Sequence, residues 1–239
     1  MKEIEDTDKR TRQREFSNRF IDLPVKFLIK HNITPNKISF IGLSVTLVAS
    51  LLLALYGLYF SLWFSWIIPA LLSIAGAMDL FDGEVARRTG NETRSGAFLD
   101  SNLDRLSDAI FILGLIYGGL ISYIFGYIIL FLVIMISYIR SRAENEGISM
   151  EGVGFMERAE RILFIIFAII GELIFYFVSA LSFGEPITIY IPFITRVSVS
   201  PIFLISIIIF AFMLIYTILQ RLHHTFKILK NLNQNDIDV

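Results

Sequence analysis

Four aspartates stand in two pairs in a chain that is otherwise rich in apolar residues: Asp79 with Asp82, and Asp100 with Asp104. Spacings of three and four residues place both members of a pair on one face of a helix, about one turn apart. Such a concentration of carboxylates is self-repelling, and charge inside a membrane is costly unless it faces a cavity or a partner. The pattern therefore predicts either a metal site or a network of salt bridges.

The two alternatives make different use of the neighbouring residues. Carboxylate oxygens suit Mg²⁺ or Mn²⁺, and the chain has no cysteine to favour softer metals. Gly83 and Gly96 favour the metal site, because each removes a side chain where a ligand would approach the backbone closely. In the alternative, nearby arginines would neutralise the acids: Arg87, Arg88, Arg94 and Arg105.

Long apolar blocks surround these acids. The chain has 239 residues, of which 55% are hydrophobic, and a mean hydropathy of +0.66. Runs of about 18 or more apolar residues are what a bilayer requires. We therefore predict an all-α, polytopic membrane protein with six transmembrane helices, near residues 38–57, 60–86, 96–119, 122–143, 159–183 and 198–221.

The ends of the chain differ from this membrane domain, which we place at residues 33–225. Residues 1–15 form a polar N-terminal tail, and residues 226–239 a polar C-terminal tail. Residues 16–32 have the apolar spacing of an amphipathic helix in the membrane interface, with Pro24 as a kink or a second start. We expect no cleavable signal peptide.

The distribution of charge predicts the orientation. The N-terminal segment, the 87–94 loop, the 140–161 region and the tail from Arg221 carry nearly all the cations. Cytoplasmic loops carry such an excess, so both termini and the acidic pairs should be cytoplasmic. Trp63 and Trp66 are then expected at the opposite boundary, and the three histidines at headgroup level.

The acidic segment resembles the signature of the CDP-alcohol phosphotransferases. It reads Asp79-x-x-Asp82-Gly83-x-x-Ala86-Arg87, eight residues, and then Gly96-x-x-x-Asp100-x-x-x-Asp104. All defining positions and spacings match, and Thr34-Pro35-Asn36 before the first span is also similar. The resemblance implies transfer from a CDP-linked lipid to a hydroxyl acceptor with release of CMP.

The resemblance also implies residue roles. Asp79, Asp82 and Asp100 would bind one Mg²⁺ or Mn²⁺ ion, and Asp79, Asp100 and Asp104 a second, with Asp104 as proton acceptor. The CDP moiety would contact residues before the first span and around the signature: Pro35, Asn36, Gly83, Ala86, Arg87 and Thr93. Homodimerisation is implied by the family alone, and no nucleic-acid partner is expected.

Arginines at three helix ends suggest the acceptor. They are Arg140 and Arg142 at the end of the fourth segment, Arg158 and Arg161 at the start of the fifth, and Arg221 at the end of the sixth. Converging on one side, they would form a cationic pocket for a phosphorylated acceptor. The alternative is ordinary anchoring by cytoplasmic arginines.

The arginine pattern resembles the branch of the family that uses inositol 1-phosphate. Arg140, Arg158 and Arg221 would then hold the acceptor phosphate, with Arg142 or Arg161 in support. Bacterial members often have lysine at the position of Arg140, so we favour an archaeal-type lipid donor. Glycerol 3-phosphate is the nearest competing acceptor, and a cation channel or transporter is the competing class of protein.

Overall fold

The computed structural model describes residues 21–235, with side chains to residue 231. The helices of this part are α1 (residues 21–30), α2 (Pro35–Tyr56), α3 (Ile67–Thr89), α4 (Arg94–Tyr117), α5 (Tyr123–Asn145), α6 (Arg158–Phe183) and α7 (Pro201–Asn235). Within residues 21–235 there is no strand, only an isolated bridge between Ile189 and Val199. The predicted tail 1–15 and residues 16–20 of the predicted amphipathic helix lie outside the described residues.

Five helices are long and apolar enough to cross a membrane: α2, α3 with the turn before it, α5, α6 and α7. This confirms the prediction of a multi-pass membrane protein. Helix α4 has 24 residues but does not meet the same criterion of composition. Its charges fall between Arg94 and Asp108, whereas the rest of the helix, residues 109–117, is apolar.

Helix α3 begins later than the apolar pattern predicts. The predicted segment starts at residue 60, whereas α3 starts at Ile67 after a single 3₁₀ turn, Phe64–Trp66. Residues 57–63 are rich in apolar and aromatic side chains, so composition does not separate them from the helix. Trp63 is exposed, whereas Trp66 packs against the hydrophobic core.

Helix α7 continues past the predicted end of the sixth segment at residue 221 and runs to Asn235. Ile228 and Leu229 pack against a small cluster that includes Ile139 and Met150. This apolar contact extends the helix through residues 226–235, a range predicted as a polar tail. Residues 236–239 lie outside the described part of the chain.

The chain divides into two compact units. Among the described residues, unit 1 comprises residues 21–44 together with Ile74–Asp104. Its described core consists of Val25, Ile38 and Val85, which are almost fully buried. Helix α1 contributes Val25 to this core, whereas Leu23, two residues earlier, is exposed. Pro24, which stands between them, lies within α1.

In the described part of the chain, unit 2 comprises Val45–Ser73 and residues 105–235. Helix α7 packs against α5 and α6 around a large apolar core that includes Phe203 and Phe210. Ser122 caps α5, because its hydroxyl accepts a hydrogen bond from the Phe125 N–H at 3.1 Å. Gly184 ends α6 with a φ of 82°, a conformation that glycine adopts without strain.

One buried carboxylate, that of Glu172, forms hydrogen bonds with residues from different elements of unit 2. Glu172 on α6 is fully buried and accepts hydrogen bonds from Tyr59 and from both the backbone N–H and the hydroxyl of Ser200. Ser200 precedes α7 and also accepts from the Phe203 N–H. Burial raises the pKa of Tyr59, so that its hydroxyl stays protonated and can donate.

Candidate functional site

Three of the four predicted aspartates come together in unit 1. Asp79 and Asp82 on α3 and Asp100 on α4 each offer a carboxylate oxygen, and these oxygens lie within 4.8 Å of one another. Asp82 is buried, with 5% of its surface exposed, and the other two are half-buried. The structure thus brings three of the four aspartates together, and their role as metal ligands stays a prediction. Asp104 lies one turn further along α4 and is not part of the three-residue group.

Asp82 has a hydrogen-bond donor on a third helix. The Ser39 hydroxyl lies 2.6 Å from Asp82 Oδ2 and 3.2 Å from the backbone oxygen of Pro35. Sequence reasoning missed Ser39. The available signal was its position one helical turn after Pro35 and Asn36, on the segment already singled out before the first span.

Two of the nearby arginines are paired with acids outside the cluster. Arg87 pairs with Glu84 at 2.8 Å, and Arg88 pairs with both Glu84 and Asp22. These two cations are thus engaged with other acids in the unit. Three carboxylates within reach of one another, one of them buried against a serine, form a donor set that suits a hard divalent cation.

The cluster opens into a pocket of about 320 Å³. Its lining comes from α2, α3, α4 and the α3–α4 loop: Pro35, Asn36, Ser39, Asp82, Gly83, Ala86, Arg87, Asn91, Glu92, Thr93, Gly96, Ala97 and Asp100. All six residues predicted to contact the CDP moiety are in this set. Sequence reasoning did not identify Ser39, Asn91, Glu92 or Ala97 as pocket residues.

The two signature glycines differ in the space around them. A Cβ atom on Gly96 would lie 3.0 Å from the Thr93 hydroxyl oxygen and 3.7 Å from Asn36 Oδ1. A Cβ atom on Gly83 would lie 3.4 Å from Arg87 Nη1. A side chain would therefore crowd Thr93 at position 96 but not at position 83, and the close approach of a ligand at both glycines stays a prediction.

The predicted acceptor arginines lie in unit 2, and their environments differ. Arg221 on α7 is buried and donates to the backbone oxygens of Ile136 at 2.7 Å and Val153 at 2.9 Å. Gly154, with a φ of 119°, permits this approach, because a Cβ there would lie 3.0 Å from Arg221 Nε. The guanidinium is therefore held in a fixed orientation.

Arg158 and Arg161 open α6 and share one acid. Arg161 Nη2 lies 2.8 Å from Asp108 Oδ2, and Arg158 Nε lies 3.7 Å from Asp108 Oδ1. Asp108 is a residue that sequence reasoning missed, although it follows Asp104 at the same four-residue spacing that separates Asp100 from Asp104.

The arginines at the end of α5 are more exposed. Arg140 pairs with Glu144 at 2.9 Å, and Arg142 pairs with Glu146. Arg140 and Arg161 interact electrostatically with Arg221, as do the acids Glu144 and Glu157 with the opposite sign; we refer to the three arginines as the cationic region of unit 2. Arg142 is bound by its own helix neighbour.

Comparison with known proteins identifies the family. The family model described as CDP-alcohol phosphatidyltransferase matches residues 32–219. The archaetidylinositol phosphate synthase of Pyrococcus horikoshii is 39% identical over 144 residues, which cover 60% of this chain and 72% of the relative. That of Methanothermobacter thermautotrophicus is 50% identical over 97 residues, covering 41% of this chain and 49% of the relative.

Solved structures agree with this assignment. The crystal structure of Mycobacterium tuberculosis phosphatidylinositol phosphate synthase with CDP-DAG bound aligns with a TM-score of 0.64 and 26% identity. The alignment covers 87% of this chain and 94% of that one. A structure of the same protein with manganese and citrate aligns with a TM-score of 0.63 and 26% identity, covering 84% and 87%.

The matched region includes the whole aspartate signature and most of the described helices. Together with the cluster of acids and the pocket beside it, the match over residues 32–219 shows that this chain is a member of the CDP-alcohol phosphatidyltransferase family.

Proposed function

We propose that the chain transfers a phosphatidyl-type group from a CDP-linked lipid to inositol 1-phosphate, releasing CMP. The observation that carries this proposal is the cluster of three aspartates at a pocket of about 320 Å³ in unit 1. Relatives named as archaetidylinositol phosphate and phosphatidylinositol phosphate synthases support inositol phosphate as the acceptor.

Two divalent ions, Mg²⁺ or Mn²⁺, would be held by the signature acids. Asp79, Asp82 and Asp100 would hold the first, and Asp79, Asp100 and Asp104 the second. Bound there, the ions would neutralise negative charge on the pyrophosphate oxygens. The manganese-containing structure of a relative supports this choice of metal.

The reaction would be a substitution at the lipid-bearing phosphorus. The acceptor hydroxyl oxygen forms the new P–O bond, and the bond from phosphorus to the CMP oxygen breaks. Asp104 would accept a hydrogen bond from that hydroxyl and orient it, then take its proton late, because a carboxylate near cations is a weak base. CMP leaves with the electron pair of the broken bond.

The CDP moiety would occupy the pocket of unit 1. Pro35, Asn36, Gly83, Ala86 and Thr93 line it, and Arg87 offers a guanidinium fork that matches a phosphate. Arg87 is bound to Glu84 through Nε and Nη2, so a donor phosphate would compete with this carboxylate.

The acceptor phosphate would bind Arg140, Arg158 and Arg221, with Arg142 or Arg161 in support. The fixed orientation of Arg221 supports this role, since two of its nitrogens are held by backbone oxygens. Arg161 fits the supporting role because Asp108 binds its guanidinium. Arg142 fits it less well because its partner is Glu146.

The membrane arrangement is also part of the proposal. We infer six spans, with α4 as the additional one, because its 24 residues extend about 36 Å and its part after Asp108 carries no charge. Both termini and the acid cluster face the cytoplasm, α1 lies in the interface, and the protein is a homodimer in the cytoplasmic membrane. The named archaeal relatives support an archaetidyl donor.

An acceptor screen tests the proposal. Purified protein would be supplied with CDP-linked archaeol or diacylglycerol and Mg²⁺ or Mn²⁺, and CMP release measured with inositol 1-phosphate, glycerol 3-phosphate, serine or inositol. We expect release with inositol 1-phosphate above all others. Release with serine alone would overturn the cationic acceptor pocket, and cation transport without CMP release would overturn the enzymatic proposal.

A further inference from the structure

Asp108 is a buried acid outside the aspartate signature. Its side chain is 10% exposed and lies between two guanidinium groups, at 2.8 Å from Arg161 Nη2 and 3.7 Å from Arg158 Nε. Each of its two oxygens faces a different arginine. The carboxylate therefore interacts with both cations at the start of α6.

The cavity beside Asp108 is too small for a substrate to bind in it. Asp108 and Arg161 line a pocket of about 20 Å³, room for about one water molecule. The rest of its lining is apolar: Phe111, Ile112, Val133, Ile162, Ile165 and Phe210. No phosphate or polyol fits there, so Asp108 acts on the arginines.

The arginines themselves stand in an unfavourable position. Arg158 and Arg161 are three residues apart, and therefore neighbours, in the first turn of α6. The N-terminal end of a helix carries partial positive charge, so two cations there are destabilised both by the helix and by each other. Asp108, which lies within ion-pair distance of both, offsets part of these effects, together with Glu157 and Glu160 at the same helix end.

If Asp108 served only to stabilise the fold, its contact with the buried Arg161 would be sufficient. Arg161 is 5% exposed and also lies 3.5 Å from the Met156 backbone oxygen. Because its charge is buried, Arg161 needs an acidic partner, and Asp108 provides one. The second contact reaches Arg158, which is more exposed and which the proposed function places on the acceptor phosphate. This second contact links the acid to the acceptor site.

We propose that Asp108 is a positioning residue that fixes the guanidinium groups of Arg158 and Arg161 for the phosphate of the acceptor. This inference rests on the proposed function and adds a residue to it. Asp108 does not touch either substrate. It sets the separation and direction of two cations that would otherwise repel each other.

The test is the Asp108→Asn variant of the full-length protein in CMP-release assays with inositol 1-phosphate. Asparagine keeps the shape but removes the charge. We expect the KM for inositol 1-phosphate to rise about tenfold, equivalent to about 1.4 kcal/mol, while the KM for the CDP-lipid stays within about twofold. In an Arg158→Gln background, Asp108→Asn should add much less than tenfold, because coupled residues are not additive.

Glu172→Gln is the matched control, since Glu172 is another buried carboxylate of unit 2 whose partners are not arginines. It should leave both KM values within about twofold while lowering thermal stability. If Asp108→Asn does not accumulate as folded protein, Asp108→Glu replaces it. This variant keeps the charge but moves it by one methylene group, and we expect the acceptor KM to rise about threefold with the CDP-lipid KM unchanged.

An unchanged acceptor KM in Asp108→Asn, or an equal rise in both KM values, would overturn the inference. Full additivity with Arg158→Gln would overturn it as well. These outcomes are distinct from failure of the proposed function, in which the wild-type protein itself would release no CMP with any phosphorylated acceptor.

Discussion

Asp82 in unit 1 and Glu172 in unit 2 are both buried carboxylates on apolar helices, yet their surroundings are opposite in kind. Asp82 has one serine donor and two further carboxylates within 4.8 Å. Glu172 accepts from Tyr59 and from two groups of Ser200. Burial alone therefore does not mark a functional acid.

The partners of each acid determine what it can do. The donors around Glu172 satisfy its charge and tie α6 to the start of α7, which is a structural arrangement. The acids around Asp82 add negative charge, which a bound cation would balance. We therefore expect substitution of Asp82 to lower activity and substitution of Glu172 to lower stability.

The largest expected effect is at the acid cluster. Asp82→Asn removes a charged oxygen ligand while keeping the side-chain volume, so we expect CMP release to fall at least about 100-fold. Thermal stability without metal should not fall, because relief of carboxylate repulsion offsets the lost hydrogen bond. Initial rates and melting curves check both. Near-normal turnover in Asp82→Asn would remove the metal-site assignment.

The opposite outcome is expected at Glu172. Glu172→Gln weakens hydrogen bonds to a buried charged group, which costs about 1–3 kcal/mol. We expect the melting temperature to fall by about 5 °C, with specific activity of the folded protein within about twofold. A large loss of activity at unchanged stability would show that the two carboxylates are not different in kind.

Ser39 sharpens the comparison at the level of a single hydrogen bond. Ser39→Ala removes the donor that orients Asp82, so the Mn²⁺ concentration for half-maximal CMP release should rise about tenfold. Ser44→Ala is the control, since Ser44 lies on the same helix but its hydroxyl donates to the Phe40 backbone oxygen. Equal metal requirements in the two variants would contradict the positioning of Asp82 by Ser39.

The smallest effect is expected at an exposed acid of unit 1. Arg88, followed by Lys26, lowers the pKa of Asp22 below its usual 3.8. The stabilisation is therefore present above pH 3.8 and is lost as the pH falls through the lowered pKa. Melting curves of wild type and Asp22→Asn should differ slightly at neutral pH and converge in acid. A difference that grows on acidification would contradict this sign.

The sequence predicted much of the acid site because helical spacing alone places residues on a common face. Asp79 and Asp82 had to share a face of α3, and the signature predicted that Asp100 would join them. The burial of Asp82 and its contact with Ser39 depend on how α2 packs within unit 1, which spacing along one helix does not specify. Ser39 therefore appeared only in the structure.

The arginines were less predictable for a related reason. A cation at a helix end has the same sequence pattern whether it binds a substrate, a backbone oxygen or a neighbouring glutamate. Arg221 proved to be held by backbone oxygens, Arg161 by Asp108, and Arg142 by Glu146.

The limits of two helices were also hard to predict. The start of α3 was hidden because apolar composition continues through the turn before it. The end of α7 was hidden because residues 226–235 were predicted as a polar tail, although Ile228 and Leu229 pack against an apolar cluster.

A Mn²⁺ titration of the purified protein, followed by electron paramagnetic resonance, tests the central claim most directly. Wild type and Glu172→Gln should bind Mn²⁺ with the same stoichiometry and affinity, whereas Asp82→Asn should bind at least about tenfold more weakly or lose an ion. Equal binding by wild type and Asp82→Asn would contradict the assignment of the acid cluster as the metal centre.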